Sequence, residues 1–420
     1  MFENEVPHDP SKPLSETRVC IVSYTWKDEK GQASHIAGPP QDLYRYLKTR
    51  AKEVIFIEQP QSYCPDITPT LTVCKMGVER KPVRFPMFWF PYNKTRADIQ
   101  QTPFPYVAFK VRDILSTIYF LLYLRRRFDL YVGVEAVNTI IGLLLRRFKV
   151  VKRVVYDVID YSPKRFDNLK LNGIFHFMDR YCAHRADWAW AQSSRVEPMR
   201  LELGAKANQL SPHILKQSGF GTDASCLKMG SKENFDPYRM AYVGALHPTD
   251  GVDCLVEAMP LIIEKVPNAR LTIVGDGMDA PKLRCRVQEL ALEKNVQFLG
   301  TIGNPTEIEN LLASCALGIV PYKKDPLSLK HFNDPSKPRL YLGCGLPVII
   351  TDVPEVAQDI HQKKAGLIID WTPVSLADAV VSLLTDQDKL TEFRSNSLRM
   401  AEDFTWDRIF SNIFSQMGFK

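Results

Sequence analysis

The chain alternates short, nearly continuous apolar runs with stretches of helical periodicity along almost its whole length. Apolar runs of five or six residues, rich in Val and Ile, are typical of strands that are covered on both faces, as in a parallel sheet. The runs form two series, at 18–24, 54–58, 130–134, 153–160 and 187–191, and then at 240–246, 270–275, 296–300, 317–320, 347–351 and 366–369. Such strand–helix–strand repetition predicts doubly wound α/β sheets with right-handed crossovers.

Each series has enough strands for a sheet of its own, so the sequence predicts two Rossmann-like domains that face one another across a cleft. We place the first domain at 1–218 and the second at 238–402. The segment 219–237 is rich in Gly, Ser and Lys and is predicted to be a linker, and a last helix is predicted within 403–420. Ligands of such sheets bind at the carboxyl ends of the strands, beside helix N-termini, so the function is sought in those loops.

Composition excludes several classes of protein. With 45% apolar and 24% charged residues, the 420-residue chain is not predominantly disordered. The longest apolar run, near 114–124, is too short to span a bilayer, and the first residues are too polar for a secretory signal. Nine cysteines without a CxxC pair indicate reduced thiols rather than a disulfide scaffold or a zinc ribbon. We therefore expect a cytoplasmic protein, and no loop motif predicts a bound metal.

The charge is unevenly divided along the chain. Residues 1–220 hold 33 Lys+Arg and 22 Asp+Glu, a net charge of +11, whereas 221–420 hold 21 and 26, a net charge of −5. Within the densest basic stretch, 101–155, cations are interleaved with apolar side chains: Val107, Ile114, Ile118, Phe120, Leu121 and Leu124 beside Lys110, Arg112, Arg125, Arg126 and Arg127. A helix with apolar and basic faces can lie in the headgroup layer of an anionic membrane. A solvated helix face is the alternative, and nucleic acid is disfavoured because no binding motif for it accompanies the charge.

Two loops of the second domain are predicted to bind an anion. Gly244 directly follows a strand, where the lack of a side chain lets a ligand approach the backbone. In the other loop, Asp334 is a plausible N-cap and Pro335 a plausible first helical residue. Ser336 and Lys337 then fall in the first turn, where a lysine opposes the helix dipole unless an anion compensates it. The alternatives are a simple turn at Gly244 and a lysine whose head points into water.

The first domain offers a carboxylate and an acceptor region. Asp160 lies where a strand ends, and a carboxylate there can take a proton from an acceptor hydroxyl. Capping of a following turn is an equally supported role, and Asp157 is the less favoured base because it is nearer the strand interior. Trp26, His35 and Gly38 follow the first strand and are predicted to face the cleft and bind the acceptor. Trp26 either stacks on a sugar or packs as an ordinary surface tryptophan.

Several ordered motifs of the second half can be quoted: AYVGALHPTDGVDCLVEAM, PNARLTIVGDG, VQFLGTI, LLASCALGIVPY, PSKPRLYLGCGLPVIITDVPEV, AGLIID and FTWDRI. This set resembles the donor-binding domain of GT-B glycosyltransferases, especially the large family four, or group 1. In the first half, AGPPQDLYRYL, VIFIEQP and VVYDVIDYSP are similar to the acceptor domain of bacterial polysaccharide glycosyltransferases. The resemblance implies a nucleotide-sugar donor, a reaction without a metal, and a last helix that crosses back to the first domain.

The resemblance also implies where the donor lies. Its base is expected at the 300–302 loop, its ribose beside one of two tyrosines, and its diphosphate between the 244–247 loop and the start of the helix that opens near Pro335. The expected donor contacts are Gly244, Leu246, His247, Thr301, Tyr322, Ser336, Lys337 and Tyr341. For His247, an ordinary loop histidine is the equal alternative.

Departures from the family pattern affect the predicted mechanism. Members that retain configuration usually carry an Arg in the glycine loop and a Lys before the next glycine, where this chain has Ala245 or Leu246 and Asp250. Leu340 stands at the second Glu of their Glu-x7-Glu motif. The xanthan-type glucuronosyltransferases resemble this chain in the lysine at 337 and in an aspartate base that Asp160 matches. The resemblance therefore favours an inverting reaction with Asp160 as the base.

The sequence thus predicts the transfer of a sugar from a UDP- or GDP-linked donor to a hydroxyl of a saccharide or lipid-linked saccharide acceptor. The expected setting is polysaccharide biosynthesis at the inner face of the cell membrane, without a cofactor. The alternative is a catalytically silent GT-B-fold partner subunit or a nucleotide-sugar-binding protein. A GT-B-shaped epimerase or phosphorylase is disfavoured because the expected Glu pattern and cofactor lysine motif are absent.

Overall fold

The computed structural model describes residues 13–25, 39–61, 64–87, 103–230 and 234–419. The chain divides into two compact units: a first unit of Met1–Lys216 with Phe410–Lys420, and a second unit of Gln217–Ile409. Trp26, His35 and Gly38 lie outside the described residues, so their role in acceptor binding stays a prediction.

The first unit is built on one sheet. Its described strands are β1 (Arg18–Thr25), β2 (Glu53–Pro60), β3 (Thr70–Lys75), β4 (Val78–Glu79), β5 (Val83–Arg84), β6 (Phe128–Val134), β7 (Val151–Val158), β8 (Trp188–Ala191) and β9 (His213–Leu215). Their order is β4-β3-β2-β1-β6-β7-β8-β9, with β5 on β3. The six strands β2-β1-β6-β7-β8-β9 are parallel, whereas β3 is antiparallel to β2, β4 and β5. The sequence pattern misses β3, which is rich in threonine, and β4, β5 and β9, which have only two or three residues.

Helices α1 (Pro39–Lys48), α2 (Pro103–Leu124), α3 (Glu135–Arg147), α4 (Leu169–Arg185) and α5 (Val196–Glu202) accompany these strands. Helix α2 packs against α3, and α3 packs against α4 and against strands β6 and β7. We call α2, α3 and α4 the helix layer of the first unit. The start of α4 is fixed by Asn168, whose side chain accepts the backbone amides of Lys170 and Leu171.

Helix α2 buries polar side chains and exposes apolar ones. The guanidinium of Arg112 is buried and donates to the Asp113 carboxylate (2.9 Å) and to the carbonyl oxygens of Pro60 and Ile67 (2.8 Å each). The exposed apolar side chains recur at helical spacing and are Val107, Val111, Leu115, Tyr119, Leu122 and Tyr123. We call this set the apolar stripe. Within the described ranges, no helix has the length and hydropathy needed to span a membrane.

The apolar stripe differs from the apolar face predicted from the sequence. Phe120 and Leu121, predicted to lie on that face, are buried against the rest of the first unit. Lys110 and Arg112, predicted to be part of its basic surface, are mostly or fully enclosed. The prediction failed here because the buried face of α2 forms hydrogen bonds, which hydrophobic periodicity does not detect.

The second unit is a six-stranded parallel sheet. Its strands are β10 (Arg239–Val243), β11 (Arg270–Val274), β12 (Val296–Gly300), β13 (Leu317–Val320), β14 (Val348–Thr351) and β15 (Gly366–Ile369), in the order β12-β11-β10-β13-β14-β15. All neighbouring pairs are parallel. The strand order reverses between β10 and β13, the position at which open α/β sheets bind ligands. The predicted class, two doubly wound α/β sheets, is confirmed.

The described helices of the second unit are α6 (Val252–Lys265), α7 (Ala280–Glu289), α8 (Pro305–Ala313), α9 (Leu329–Phe332), α10 (Ser336–Gly343), α11 (Val356–Gln362), α12 (Pro373–Leu384) and α13 (Gln387–Glu402). Asn304, Thr372 and Asp386 cap α8, α12 and α13, each side chain accepting a backbone amide of the first turn. The segment 219–237, predicted to be a linker, clusters with this unit. Within it, Phe220 is buried and its amide donates to the carbonyl oxygen of Phe404 (2.9 Å).

The last helix, α14 (Trp406–Gln416), divides between the units. From Phe410 onward it clusters with the first unit, where the rings of Phe410 and Phe414 lie 5.4 and 5.8 Å from that of Tyr46. The ring of Trp190 on β8 meets Phe414 edge-on at 6.0 Å. These aromatic contacts hold the end of the chain against the sheet of the first unit.

Candidate functional site

Gly244 follows β10 at the point where the strand order of the second unit reverses. Its backbone has a φ of +144°, which an L side chain rarely adopts. A Cβ at this position would lie 2.9 Å from Cε and 3.0 Å from Nζ of Lys337. Glycine is therefore required here both by the backbone and by the lysine that lies over it.

Three charged side chains meet beside Gly244, and we call Asp250, Lys330 and Lys337 the lysine–aspartate cluster. Asp250 is buried, and its Oδ1 contacts the Nζ of Lys330 and lies 3.5 Å from the Nζ of Lys337. The Lys337 ammonium is 3.9 Å from the centre of the Tyr242 ring, and that of Lys330 is 4.0 Å from the centre of the Tyr322 ring. Aromatic faces and the Asp250 carboxylate thus surround two cations.

The charge and the hydrogen-bond donors of the Lys337 ammonium are only partly satisfied in this environment. Its side chain is only 10% exposed, and its Nζ makes no hydrogen bond to the described residues. Burial lowers the pKa of Lys337 to about 7, although the Asp250 carboxylate opposes that shift. Burial also lowers the pKa of Lys330. A buried ammonium with unused hydrogen-bond donors is costly unless an anion approaches it.

The helix start beside the cluster differs from the predicted one. Pro335, not Asp334, is the N-cap of α10, and Ser336 is its first residue. The buried Asp334 carboxylate instead accepts from the guanidinium of Arg339 (2.9 Å) and from the backbone amide of Ser218 (2.8 Å). The predicted cap was wrong because a buried arginine claims the carboxylate. Lys337 still lies in the first turn of α10, as predicted.

Two predicted donor contacts are part of the core instead. Leu246 is fully buried and its amide donates to the carbonyl oxygen of Asp276 (3.0 Å). Tyr341 is fully buried, and its hydroxyl accepts the amide of Val243 (2.8 Å). Its ring fills the space over Gly318, where a Cβ would be 2.3 Å from Cδ2 of the ring. We therefore remove Leu246 and Tyr341 from the expected donor contacts.

The remaining predicted contacts have diverse surroundings. Tyr322 is buried, with the Lys330 ammonium over its ring. His247 is exposed and its Nδ1 is engaged locally, 2.9 Å from the hydroxyl of Thr249. Thr301 and Ser336 are exposed, Thr301 directly after β12. Assignment of these four residues to the donor stays a prediction.

In the first unit, the structure separates the two candidate bases. Asp157 is fully buried within β7 and forms an ion pair with Lys216, which is also buried. Asp160 follows β7, its side chain is 46% exposed, and its Oδ2 lies 3.5 Å from the Arg165 guanidinium. Of the two, Asp160 alone is presented to solvent.

Sequence reasoning missed three residues at these places. Lys330 had no motif around it, and Asp250 was noted only as a departure from a family pattern. Glu135, the first residue of α3, lies at the end of β6 and accepts the backbone amide of Asp160 (3.0 Å). An acidic residue between an apolar strand and a helix was the available signal for it. Among the described residues, no group of three or more His, Cys, Asp or Glu side chains is arranged to hold a metal ion.

The family model "Glycosyl transferases group 1" matches residues 237–386. The second unit contains a group 1 glycosyltransferase domain. A D-inositol 3-phosphate glycosyltransferase from Jonesia denitrificans is 26% identical to the chain over 176 residues, or 40% of each protein. The chain thus spans about 40% of the length of this curated relative.

Solved structures show the same fold over nearly the whole chain. Sucrose-phosphate synthase from Thermosynechococcus elongatus covers 96% of this chain and 99% of its own length, with a TM-score of 0.66 and 15% identity. Anabaena HepE in complex with UDP-glucose covers the same shares, with a TM-score of 0.61 and 15% identity. The group 1 domain is thus part of a two-unit GT-B fold.

Proposed function

We propose that the chain is a glycosyltransferase that moves a sugar from a nucleotide-sugar donor to a hydroxyl of a saccharide or lipid-linked saccharide. The observation that carries this proposal is the buried Lys337 ammonium, which has no hydrogen bond to the described part of the chain and lies in the lysine–aspartate cluster of a group 1 glycosyltransferase domain. A donor diphosphate offers this ammonium hydrogen-bond acceptors in addition to the Asp250 carboxylate, which it shares with Lys330.

The cluster has a chemical role during transfer. Negative charge develops on the diphosphate as the bond from the anomeric carbon to its oxygen breaks. Two fixed ammoniums, on Lys330 and Lys337, stabilise that charge without reorganising. We propose that they take the place of a divalent metal, so that transfer continues in the presence of a chelator.

We propose Asp160 as the base. It removes the proton of the acceptor hydroxyl, whose oxygen attacks the anomeric carbon opposite the leaving diphosphate, and the product is inverted. Its support is its exposure after β7 and the burial of the alternative, Asp157. A general base contributes about 10²- to 10⁴-fold in rate.

A nucleotide screen separates an enzyme from a silent partner subunit. Binding to the folded form raises thermal stability, so UDP, GDP or a nucleotide sugar is expected to raise the melting temperature. The responding donors are then tested for hydrolysis and for transfer. No response to any nucleotide supports the silent partner and contradicts the proposal.

Asp160→Asn tests the base. We expect turnover to fall by about 100-fold or more with unchanged donor affinity, because only the proton acceptor is lost. Asp167→Asn is the matched control, since Asp167 lies in the same loop, is 97% exposed and forms a surface ion pair with Lys164. Activity retained in Asp160→Asn removes this residue as the base.

We further propose that the first unit contacts an anionic membrane through its helix layer, at the inner face of the cell membrane and in polysaccharide biosynthesis. Besides the apolar stripe of α2, the helix layer exposes Leu144 of α3, Phe148 directly after α3, and Leu169, Ile174, Phe177 and Tyr181 of α4. Arg125, Arg127 and Arg147 are exposed at the ends of α2 and α3. Apolar side chains that are bordered by arginines suit the headgroup region.

Vesicle binding tests the membrane proposal. Arg125→Ser with Arg127→Ser is expected to weaken binding to phosphatidylserine-containing vesicles at low salt by about 30-fold, at ~1 kcal/mol per cation. Leu122→Ser, which removes a side chain that is 69% exposed, is expected to weaken it further. The controls are Lys282→Ser with Lys294→Ser, and Met278→Ser, all exposed in the second unit. Equal losses in test and control variants reject this surface.

A further inference from the structure

Glu135 occupies a strained position in the first unit. It directly follows β6 and begins α3, and its φ of +64° is in the left-handed region. Glutamate is disfavoured there, whereas glycine adopts this conformation freely. Non-glycine residues in such conformations persist where the side chain has a task that the surrounding structure enforces.

The task is visible in the hydrogen bonds. Oε1 of Glu135 accepts the backbone amides of Ile159 (3.1 Å) and Asp160 (3.0 Å). The loop after β7 is thereby held to the end of β6, which borders the reversal of strand order between β1 and β6. The other carboxylate oxygen, Oε2, makes no hydrogen bond to the described residues.

Charged groups face Glu135 from several elements. Arg165 and Asp160 belong to the loop after β7, and Lys110 comes from α2. Tyr156 on β7 and Cys182 on α4 are also within electrostatic range. Burial, and to a smaller extent the Asp160 carboxylate, raise the pKa of Glu135 to about 7, while Arg165 and the two backbone amides oppose that shift.

We infer that Glu135 is a positioning residue for Asp160: its carboxylate fixes the backbone of Ile159 and Asp160 and thereby holds the Asp160 carboxylate toward the acceptor. The inference rests on the proposed function, in which Asp160 is the base. It also explains the strain, because glycine at 135 would relax the backbone and lose the acceptor of both amide bonds.

Turnover is expected to depend on the ionisation of Glu135. An ionised carboxylate accepts hydrogen bonds more strongly than a carboxylic acid. As the pH falls through about 7, Glu135 takes up a proton, its hold on the loop weakens and turnover falls. Glutamine keeps a neutral oxygen acceptor and does not titrate, so Glu135→Gln separates the hydrogen bonds from the charge.

Kinetics of two variants test the positioning role. Glu135→Gly is expected to lower kcat by about 10-fold or more, with an unchanged KM for the donor and an equal or higher melting temperature. Glu135→Gln, whose neutral acceptor resembles protonated Glu135, is expected to have a kcat at both pH 8 and pH 6 close to that of the wild type at pH 6, and so to lose the fall in kcat between these pH values. A Glu135→Gly enzyme with wild-type kcat, or a Glu135→Gln enzyme with the wild-type pH profile, overturns the inference.

Ala291→Gly is the matched control for relief of strain. Ala291 is exposed after α7 and has a φ of +52°, far from any proposed site in the sequence. The control is expected to raise the melting temperature without changing kcat. A kcat loss in the control equal to that in Glu135→Gly would mean that relief of strain, rather than loss of the carboxylate, causes the effect.

Hydrogen exchange distinguishes failure of this inference from failure of the proposed function. In full-length Glu135→Gly, peptides that contain the Ile159 and Asp160 amides are expected to exchange faster than in the wild type, and in Ala291→Gly they are not. Faster exchange in a chain that transfers no sugar supports the hold of Glu135 on the Ile159 and Asp160 amides and refutes only the proposed function. Unchanged exchange overturns the inference whether or not the chain is an enzyme.

Discussion

The two units differ in the residues that adopt left-handed backbone conformations at the carboxyl edges of their sheets. In the second unit, the left-handed residues along this edge are glycines, such as Gly244 after β10 and Gly275 after β11. Each makes room for a neighbour: Lys337 lies over Gly244, and the carbonyl oxygen of Gly244 lies where a Cβ of Gly275 would be. In the first unit, the left-handed residue after β6 is Glu135, whose carboxylate accepts a hydrogen bond from the backbone amide of Asp160. At these edges, glycine allows the close approach of a neighbour, whereas Glu135 contributes a side chain that accepts hydrogen bonds.

In both units, the net charge of the region is opposite in sign to the groups that dominate its candidate site. Residues 1–220 carry a net charge of +11, yet the candidate site in the first unit contains the carboxylates of Glu135 and Asp160. Residues 221–420 carry a net charge of −5, yet the candidate site there contains two lysines around one carboxylate. The net charge of a region therefore says little about the charge of its site, which depends on a few enclosed groups.

The largest loss of stability in the second unit is expected from a substitution of Gly251. Gly251 has a φ of +73°, and a Cβ there would lie 1.8 Å from the carbonyl oxygen of Pro321. Gly251→Ala is expected to cost about 4 kcal/mol of unfolding free energy, from the left-handed backbone and the forced shift of Pro321. Gly77→Ala is the control, with a φ of +80° but no atom within 4 Å, and should cost only about 1 kcal/mol. Equal losses in urea denaturation would show that packing does not require Gly251.

Asp250→Asn tests whether one carboxylate holds both lysines. Removing it leaves two enclosed cations together, with an expected loss of about 3 kcal/mol in unfolding free energy. Added phosphate should restore more stability in this variant than in the wild type, because an external anion replaces the carboxylate. Asp253→Asn is the control, since Asp253 pairs with Lys323 in a partly exposed bridge that contributes little. An Asp250→Asn variant as stable as the wild type would contradict the stabilising role of Asp250 in the lysine–aspartate cluster.

The pKa of Lys337 predicts a smaller effect on stability. This pKa is about 7 in the folded chain, whereas an unperturbed lysine has a pKa of about 10.4, so the unfolded chain binds more protons between these pH values. Stability of the ligand-free protein therefore rises with pH across this window and is lowest, from this group, below pH 7. Relative to Lys337→Met, the wild type should gain about 1 kcal/mol between pH 7 and pH 8. If chemical denaturation showed that the unfolding free energies of the two proteins change equally with pH, the lowered pKa of Lys337 would be refuted.

The sequence predicted the architecture because continuous apolar runs are the direct consequence of strands buried on both faces. It also predicted that Lys337 lies in a first helical turn, because proline and serine mark a helix start. It could not predict which tyrosine is structural: Tyr341 and Tyr322 are both buried, and only tertiary packing puts one against Gly318 and the other beneath Lys330. Motif spacing does not distinguish these outcomes.

Side chains that act across long sequence separations were also beyond prediction. Asp334 looked like a cap from its neighbours, but Arg339 and the amide of Ser218 take its carboxylate. Lys330 reaches Asp250 from 80 residues away, and Glu135 reaches Asp160 from 25 residues away. Such partners follow from the fold, and a single sequence supplies no signal for them beyond the residue type.

The central claim is that the Lys337 ammonium binds the diphosphate of a nucleotide donor, and calorimetry tests it most directly. Binding of the nucleoside diphosphate and of the corresponding nucleoside is measured for the wild type, for Lys337→Met and for the surface control Lys265→Met, whose lysine pairs with Asp378 in an exposed bridge. We predict that Lys337→Met loses about 10- to 100-fold in affinity for the diphosphate, as expected for a charge-assisted hydrogen bond, and binds the nucleoside as the wild type does. An unchanged preference for the diphosphate in Lys337→Met would contradict the account.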